Sequence, residues 1–462
     1  MDQKSNDTPL LPGPEEILQT ITSRYQEFSQ TGALSGILLL IAAGIAVAWA
    51  NSAGADFYFE LWNAPFEIRL AGFTLEEPLL IWVNDGLMGI FFFYVGLEIK
   101  REIKVGELSQ PGQAVLPIIA ALGGILAPAA IFLFLSGGSG PESEGWGVPM
   151  ATDIAFSLGL LMLLGKRVPD GIKIFLTAFA IVDDLAAVIV IAVFYSEGVH
   201  LAMLAWAGVF YGLMWLLNAR NVRSGMAYFL LATVMWYFFL KSGVHPTIAG
   251  ILAALAIPAN TQLRMKHFVQ RSRSSLYQFW DEKSNELRQF LTSAQLNAID
   301  DMNENIEKVQ PPLQRLENAL HRQVSFFIMP VFALANAGVA LQSPDGGTAV
   351  GNLTWYVFLS LLLGKAIGIF LFSWLGVKLK LAGLPSGANW INMIGVGLLG
   401  GVGFTMSLFI AGLAFTDPEL LSQAKIGILF GSAVAGLAGV AVLRLSLKKE
   451  GAEVNNKSRR GE

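Results

Sequence analysis

Asp183 and Asp184 are the residues best placed for chemistry in this chain. They are adjacent carboxylates inside an apolar run, after Phe179-Ala180-Ile181-Val182 and before Leu185-Ala186-Ala187-Val188. Neighbours on a helix point roughly 100° apart, so both can line one polar cleft, whereas neither can face hydrocarbon cheaply. Two carboxylates this close resist simultaneous ionisation unless a cation compensates them. Such a pair holds either protons or a small hard cation. A helix cap or a structural salt bridge is the plainer alternative, and the mid-run position argues against it.

Three more sites place charge where charge is costly, at least roughly 2.5–3.5 kcal/mol per group in a membrane core. Lys365 sits in Leu362-Leu363-Gly364-Lys365-Ala366-Ile367-Gly368. A buried lysine needs a carboxylate partner or loses its proton, and Asp183 or Asp153 could supply one. Asp153 follows Thr152 in a stretch, Glu144 to Gly165, that reads as two half-helices. A broken helix points partial charges of both signs inward. Asp153 there either offsets a positive helix end or binds an ion directly. Asp85 lies near one end of another apolar run, and Glu98, Arg101 and Glu102 lie near its other end.

A second interrupted run contains Gly395, Gly397, Gly400, Gly401 and Gly403. The stretch starting at Thr405 agrees with that starting at Thr152 at four of nine positions, through Phe409 and Phe156, Gly412 and Gly159, Leu413 and Leu160. Interrupted helices in corresponding places point to a transport site. Close helix packing by small residues accounts for some of the glycines.

The elements that must carry these groups are membrane spans. Charged residues are 14% of 462, against roughly a quarter in an average soluble domain. Hydrophobic residues are 54% and mean hydropathy is +0.54. These values exclude a disordered chain and argue for a polytopic membrane protein. With no cysteine there is no disulfide, thiolate metal site or Cys nucleophile. Apolar runs at 33–51, 79–97, 113–135, 149–165, 172–195, 201–218, 224–240, 244–258, 323–340, 353–376, 391–413 and 422–446 predict twelve transmembrane helices. Runs four and eleven are the discontinuous ones and cross in opposite directions, as inverted repeats require. Of the 31 Lys and Arg, only Arg69 and Lys241 fall in the segments on one side, while Lys365 and Lys425 lie within spans. The positive-inside rule then puts both termini in the cytoplasm. The chain reads as a cytoplasmic N-terminal extension (1–32), a transmembrane domain (33–446) with an inserted cytoplasmic segment (259–322), and a cytoplasmic tail (447–462). In the outer loop 52–78, alternation around Ala71-Gly72 predicts a small periplasmic β-hairpin, whose edge could pair with a second copy. The 259–322 segment is either a regulatory arm or a solvated insertion.

Together the motifs resemble the NhaA-type sodium/proton antiporters. The resemblance runs through Val83-Asn84-Asp85-Gly86, Gly96-Leu97-Glu98-Ile99-Lys100-Arg101-Glu102, Ala151-Thr152-Asp153-Ile154-Ala155-Phe156 and Ala180-Ile181-Val182-Asp183-Asp184-Leu185. It continues through Lys241-Ser242-Gly243-Val244-His245, Phe332-Ala333-Leu334-Ala335-Asn336-Ala337-Gly338, Gly364-Lys365 and Gly403-Phe404-Thr405-Met406-Ser407. It implies that Asp183 and Asp184 bind Na+ or Li+ and protons, that Lys365 pairs with Asp183, and that Thr152 and Asp153 mark a crossing of broken helices. It ties Glu98, Arg101, Glu102, His245 and Glu317 to pH response. It implies an electrogenic, pH-regulated antiporter of the bacterial inner membrane, a homodimer joined partly through the 52–78 hairpin. No cofactor, enzymatic activity or nucleic-acid partner is implied, only the lipid bilayer and the transported ions. Gln314 and Asn318 depart from the family's Lys and His, which bears on the pH set-point.

Rival readings fit less well. A sodium/organic-anion symporter needs a larger polar cleft or a cationic patch. An intramembrane aspartyl protease built on Asp153 and Asp184 lacks the Gly-x-Gly-Asp signature. A channel conducts poorly past a site that holds protons tightly.

Overall fold

The computed structural model describes residues 34–70, 73–196, 198–281, 290–341 and 349–460. The expected 1–32 extension lies outside them. The chain is predominantly helical, with one two-stranded antiparallel sheet among the described residues. Helix α1 (Leu34–Ala50) turns through 113° into α2 (Ala55–Asn63). Strands β1 (Pro65–Leu70) and β2 (Phe73–Pro78) come after it, with Leu70 opposite Phe73, as the alternation predicts. Next come α3 (Leu79–Lys104), α4 (Pro111–Ser136), a 3₁₀ run (Pro141–Met150) that bends by 45° into α5 (Ile154–Leu163), and α6 (Asp170–Phe194). Then come α7 (Leu201–Ala219), α8 (Gly225–Ser242), α9 (Thr247–Ala256), α10 (Met265–Asp281), α11 (Ser293–Val309), α12 (Pro312–Gln323) and α13 (Met329–Asn336). The last four are α14 (Asn352–Lys378), α15 (Trp390–Gly400), α16 (Phe404–Ala414) and α17 (Pro418–Arg460), with another 45° bend between α15 and α16.

Seven of these helices are long and apolar enough to cross a bilayer, and three bent pairs raise the number to ten. Hydropathy along the sequence predicts twelve. The two remaining runs differ for a physical reason. Helix α9 has ten residues, roughly 15 Å, about half a hydrocarbon core. The 323–340 run is split by a π-helical turn at Val324–Ile328, which leaves α13 with eight residues after the polar α12.

Packing divides the chain into two compact units. One is drawn from 1–59, 115–184 and 329–462, the other from 60–114 and 185–328. In the first, Leu161, Ile172, Phe175, Phe179, Ile369, Val396 and Leu399 share one core. Glycine lets α4 and α14 touch by backbone: a Cβ on Gly368 would sit 2.1 Å from the carbonyl oxygen of Gly123. In the second unit α3 meets α9 in the same manner, a Cβ on Gly250 reaching 2.4 Å from the Gly89 oxygen. Helices α7 and α8 leave most of their apolar side chains outward, among them Trp206, Trp215, Phe229 and Leu230. That much exposed apolar surface fits a lipid solvent and not water.

The glycine contact sets a stability test. Gly368→Val should destabilise the protein by at least about 1–3 kcal/mol, since the α4 backbone cannot yield. Gly208→Ala, where an added Cβ meets nothing within 4 Å, should be neutral or stabilising by up to about 1 kcal/mol. Thermal unfolding in detergent separates the two.

Candidate ion-binding site

Helix α6 runs unbroken through both aspartates, so Phe179 and Asp183 lie one turn apart on one face. Lys365 comes from α14, immediately after a π-helical turn at Ser360–Gly364. A π turn inserts one residue into the helical register and re-aims the side chains beyond it. Gly364 lies against Pro128 and Gly368 against Gly123, so the lysine is carried by the stretch that packs closest on α4. Its Nζ donates to both carboxylate oxygens of Asp183, at 2.9 and 2.7 Å. Both side chains are 0% exposed. Of the two partners open to Lys365 from sequence, Asp153 and Asp183, the structure selects Asp183.

The pair has further neighbours. The Phe179 ring lies 5.5 Å from the Lys365 ammonium, a cation–π contact. Gly124 and Gly400 leave room for that ring. Thr152 lies beside Asp183. Asp184 is 1% exposed, and its charge also acts on Lys365. The site therefore gathers two buried carboxylates, one ammonium and a threonine. Its donors are hard oxygens, which suit hard cations and not soft metals. No group of three or more His, Cys, Asp or Glu able to hold a metal occurs among the described residues.

Asp153 stands where the two bent segments meet. Its Oδ1 accepts from the Phe156 N–H at 3.0 Å and caps α5. Its Oδ2 accepts from the Thr405 N–H at 3.3 Å and from the Thr405 hydroxyl, at the first turn of α16. One carboxylate thus satisfies and offsets the positive ends of two helices. Its own N–H donates to Val402 at 2.7 Å. The opposite ends are satisfied too. The Thr152 hydroxyl donates to Gly400 O at 2.7 Å and the Ser157 hydroxyl to Leu399 O at 2.8 Å. Reciprocally, the Ser407 hydroxyl donates to Val148 O at 2.8 Å. Ser157 and Ser407 are each the fourth residue of their helix. The structural correspondence therefore matches Ile154 with Phe404, three residues away from the Thr152–Thr405 register suggested by identity. Hydrogen bonding to free carbonyls, not residue identity, sets it.

The second unit brings together four of the five residues that the resemblance links to pH response. Arg101 Nε lies 2.8 Å from Glu317 Oε1, Nη1 lies 2.5 Å from Glu102 Oε1, and Nη2 lies 4.0 Å from Glu98 Oε1. Glu317 arrives from α12, which packs on α3. Burial pushes Glu317 above the usual carboxylate range, opposed by the Arg101 guanidinium. Next to this cluster Tyr94 meets His321 Nδ1 at 3.0 Å, and burial pushes His321 below the usual imidazole range. His245 is elsewhere. Its Nε2 lies 3.7 Å from Asp85 Oδ1 and its Nδ1 lies 2.7 Å from the Thr247 hydroxyl. Asp85 is about 20 Å along α3 from Glu98.

Phe179, Ser157 and His321 escaped the sequence reading. Phe179 carried a usable signal, being one helical turn before Asp183. Ser157 and His321 had none, because their partners are remote in sequence.

Residues 26–443 match the family described as Na+/H+ antiporter 1. The chain is 46% identical over 440 residues to a Na(+)/H(+) antiporter NhaA of Oleidesulfovibrio alaskensis, covering 95% of this chain and 97% of that one. It is 44% identical to a protein of the same name from Phocaeicola vulgatus, covering 90% and 95%. A Koribacter versatilis protein of that name is also 44% identical, covering 92% of each.

Removing one partner of a fully buried ion pair leaves an uncompensated charge, at a cost of about 3–5 kcal/mol. Lys365→Met and Asp183→Asn should each lower thermal stability on that scale. The double variant should regain most of the loss. Additive losses in a double-mutant cycle would contradict the pairing.

Proposed function

The chain belongs to the Na+/H+ antiporter 1 family, and from that premise we propose that it exchanges sodium or lithium for protons at Asp183 and Asp184. The observation carrying this reading is the buried Lys365–Asp183 ion pair beside a second buried carboxylate on the same helix. With both aspartates ionised and Lys365 charged, the site holds one net negative charge. Either a proton on Asp184 or one alkali cation neutralises it. The two ions therefore compete for the same oxygens and need no separate gates.

A sodium ion ligated by both carboxylates displaces Asp183 from Lys365. The amine, having lost its partner, can release its proton as well. The proton-loaded form carries one protonated carboxylate and one ammonium–carboxylate pair. The sodium-loaded form carries two carboxylates, one cation and a neutral amine. They differ by two protons against one sodium, so turnover moves net charge and responds to membrane potential. Asp153 supports the crossing electrostatically, with Thr152 beside it. The crossing helices expose the site to one side at a time, as in other transporters with discontinuous spans.

Helix α9 and the 323–340 run, which ends in α13, complete a twelve-span inverted-repeat domain in the bacterial inner membrane, with both termini cytoplasmic. The β1–β2 hairpin pairs with a second copy to make a homodimer. The Arg101 cluster of Glu98, Glu102 and Glu317, with His245, sets the pH response. Glu317 holds its proton to higher pH than an exposed glutamate. Rising pH ionises it and strengthens its hold on Arg101, and falling pH weakens that hold and leaves Arg101 to Glu102 and Glu98.

Two outcomes test this function in proteoliposomes. Asp184→Asn should abolish sodium-driven proton flux while eluting and unfolding like the parent protein. Normal exchange by this variant would defeat the assignment. Glu317→Gln, which fixes the group in its uncharged form, should move the pH of half-maximal flux by more than about half a unit, a scale set by a group with a shifted pKa. An unchanged profile over pH 6 to 9 would remove Glu317 from the response.

A further inference from the structure

Helix α17 carries a lysine that the exchange site does not use. Lys425 is half-buried in an apolar span. Among the described residues it makes no hydrogen bond or ion pair, and no charged side chain acts on it. A lone ammonium at that depth is costly unless an anion meets it. Leu429 and Ser432 lie one and two turns beyond it along the same face.

Both residues line a cavity of about 500 Å³. Its other walls include Gly44 and Val47 of α1 and the rings of Phe156 and Phe404. Every lining residue belongs to the first unit. The lining is apolar apart from Ser432, whose hydroxyl oxygen already accepts from the Phe404 N–H at 3.0 Å. A volume in the range of roughly 300–1,000 Å³ is typical of ligand sites. Gly44 keeps the space open, since a Cβ added there would meet nothing within 4 Å. Phe156 and Phe404, with ring centroids 5.7 Å apart, belong to the first turns of the two helices that Asp153 caps.

Lys425 lies two turns, roughly 10 Å, from the start of α17 at Pro418. Side chains on a helix tilt toward its N-terminus, and a lysine stem extends to carry its charge to the interface. A lysine stem at this position can carry its charge to that end of the span, and the cavity wall of Leu429 and Ser432 lies one and two turns further along α17. A molecule that satisfies both features has an anionic head and a hydrocarbon tail. We propose that this is a binding site for an anionic phospholipid, with its phosphate on Lys425 and one acyl chain in the cavity against Phe156 and Phe404. The wall of α1, the rings and α17 make it a built site, distinct from the general lipid annulus.

Photolabelling in vesicles tests this, using phosphatidylglycerol or phosphatidylcholine with a diazirine on the same acyl chain. In the parent protein, phosphatidylglycerol should label the peptides spanning 40–48 and 426–433 about fivefold more than phosphatidylcholine, whose choline cation cancels its phosphate charge, the ratio that one lysine supplies in favour of a net anionic lipid. Lys425→Gln should remove that ratio and leave the phosphatidylcholine signal. Gly44→Phe, which places a ring in the cavity, should remove labelling by both lipids, and Leu429→Trp does the same should Gly44→Phe fail to fold. Equal labelling of the parent by the two lipids, or undiminished labelling of the filled variants, would overturn the proposal.

Discussion

An ammonium and a carboxylate with no access to water must find each other, and much of the first unit is arranged so that Lys365 and Asp183 do. Their geometry leaves little slack: the amine meets both oxygens of one carboxylate within 2.9 Å. A buried pair of this kind contributes little net stability, because desolvation offsets most of the attraction. Its worth lies in the effect of breaking it. Any event that draws Asp183 away leaves a buried charge and therefore has a large consequence. The glycine contacts of α14 with α4 fix the backbone that carries the lysine, and the Phe179 ring covers its amine.

The meeting of the bent segments obeys a second constraint. Two helices that end inside a low-dielectric interior leave N–H and C=O groups with nowhere to bond. Here Asp153 serves both starts, while Thr152, Ser157 and Ser407 serve the ends. Each segment thus completes its partner, and neither is satisfied alone. Both carboxylate oxygens of Asp153 are taken up by that meeting. The same first turns supply Phe156 and Phe404, the floor of the apolar cavity, so lipid contact and the crossing share residues.

In the second unit, ionisable residues that look alike in sequence divide by position. Glu98, Glu102 and Glu317 surround one guanidinium, so a proton gained by any of them alters the charge felt by the rest. His245 instead faces Asp85 at the far end of α3. About 20 Å of helix α3 separates the two places.

Sequence alone determined most of the apolar spans and the hairpin with its register, and it marked the acid pair as the candidate place for ion chemistry. The reason is local. Hydropathy over some twenty residues decides what lipid accepts, and a charge inside such a stretch is conspicuous. The identity of residues at Asp183, Lys365 and Asp153 was therefore legible. Partnership was decided by the tertiary structure alone. Lys365 could have met Asp153 or Asp183, and the helix register after its π turn chose. The repeat looked aligned on Thr152 and Thr405, and hydrogen bonding to open carbonyls moved it by three residues. Helix α9 reads as a span and forms only ten helical residues. Such choices depend on contacts between residues far apart in the chain, which no local pattern encodes.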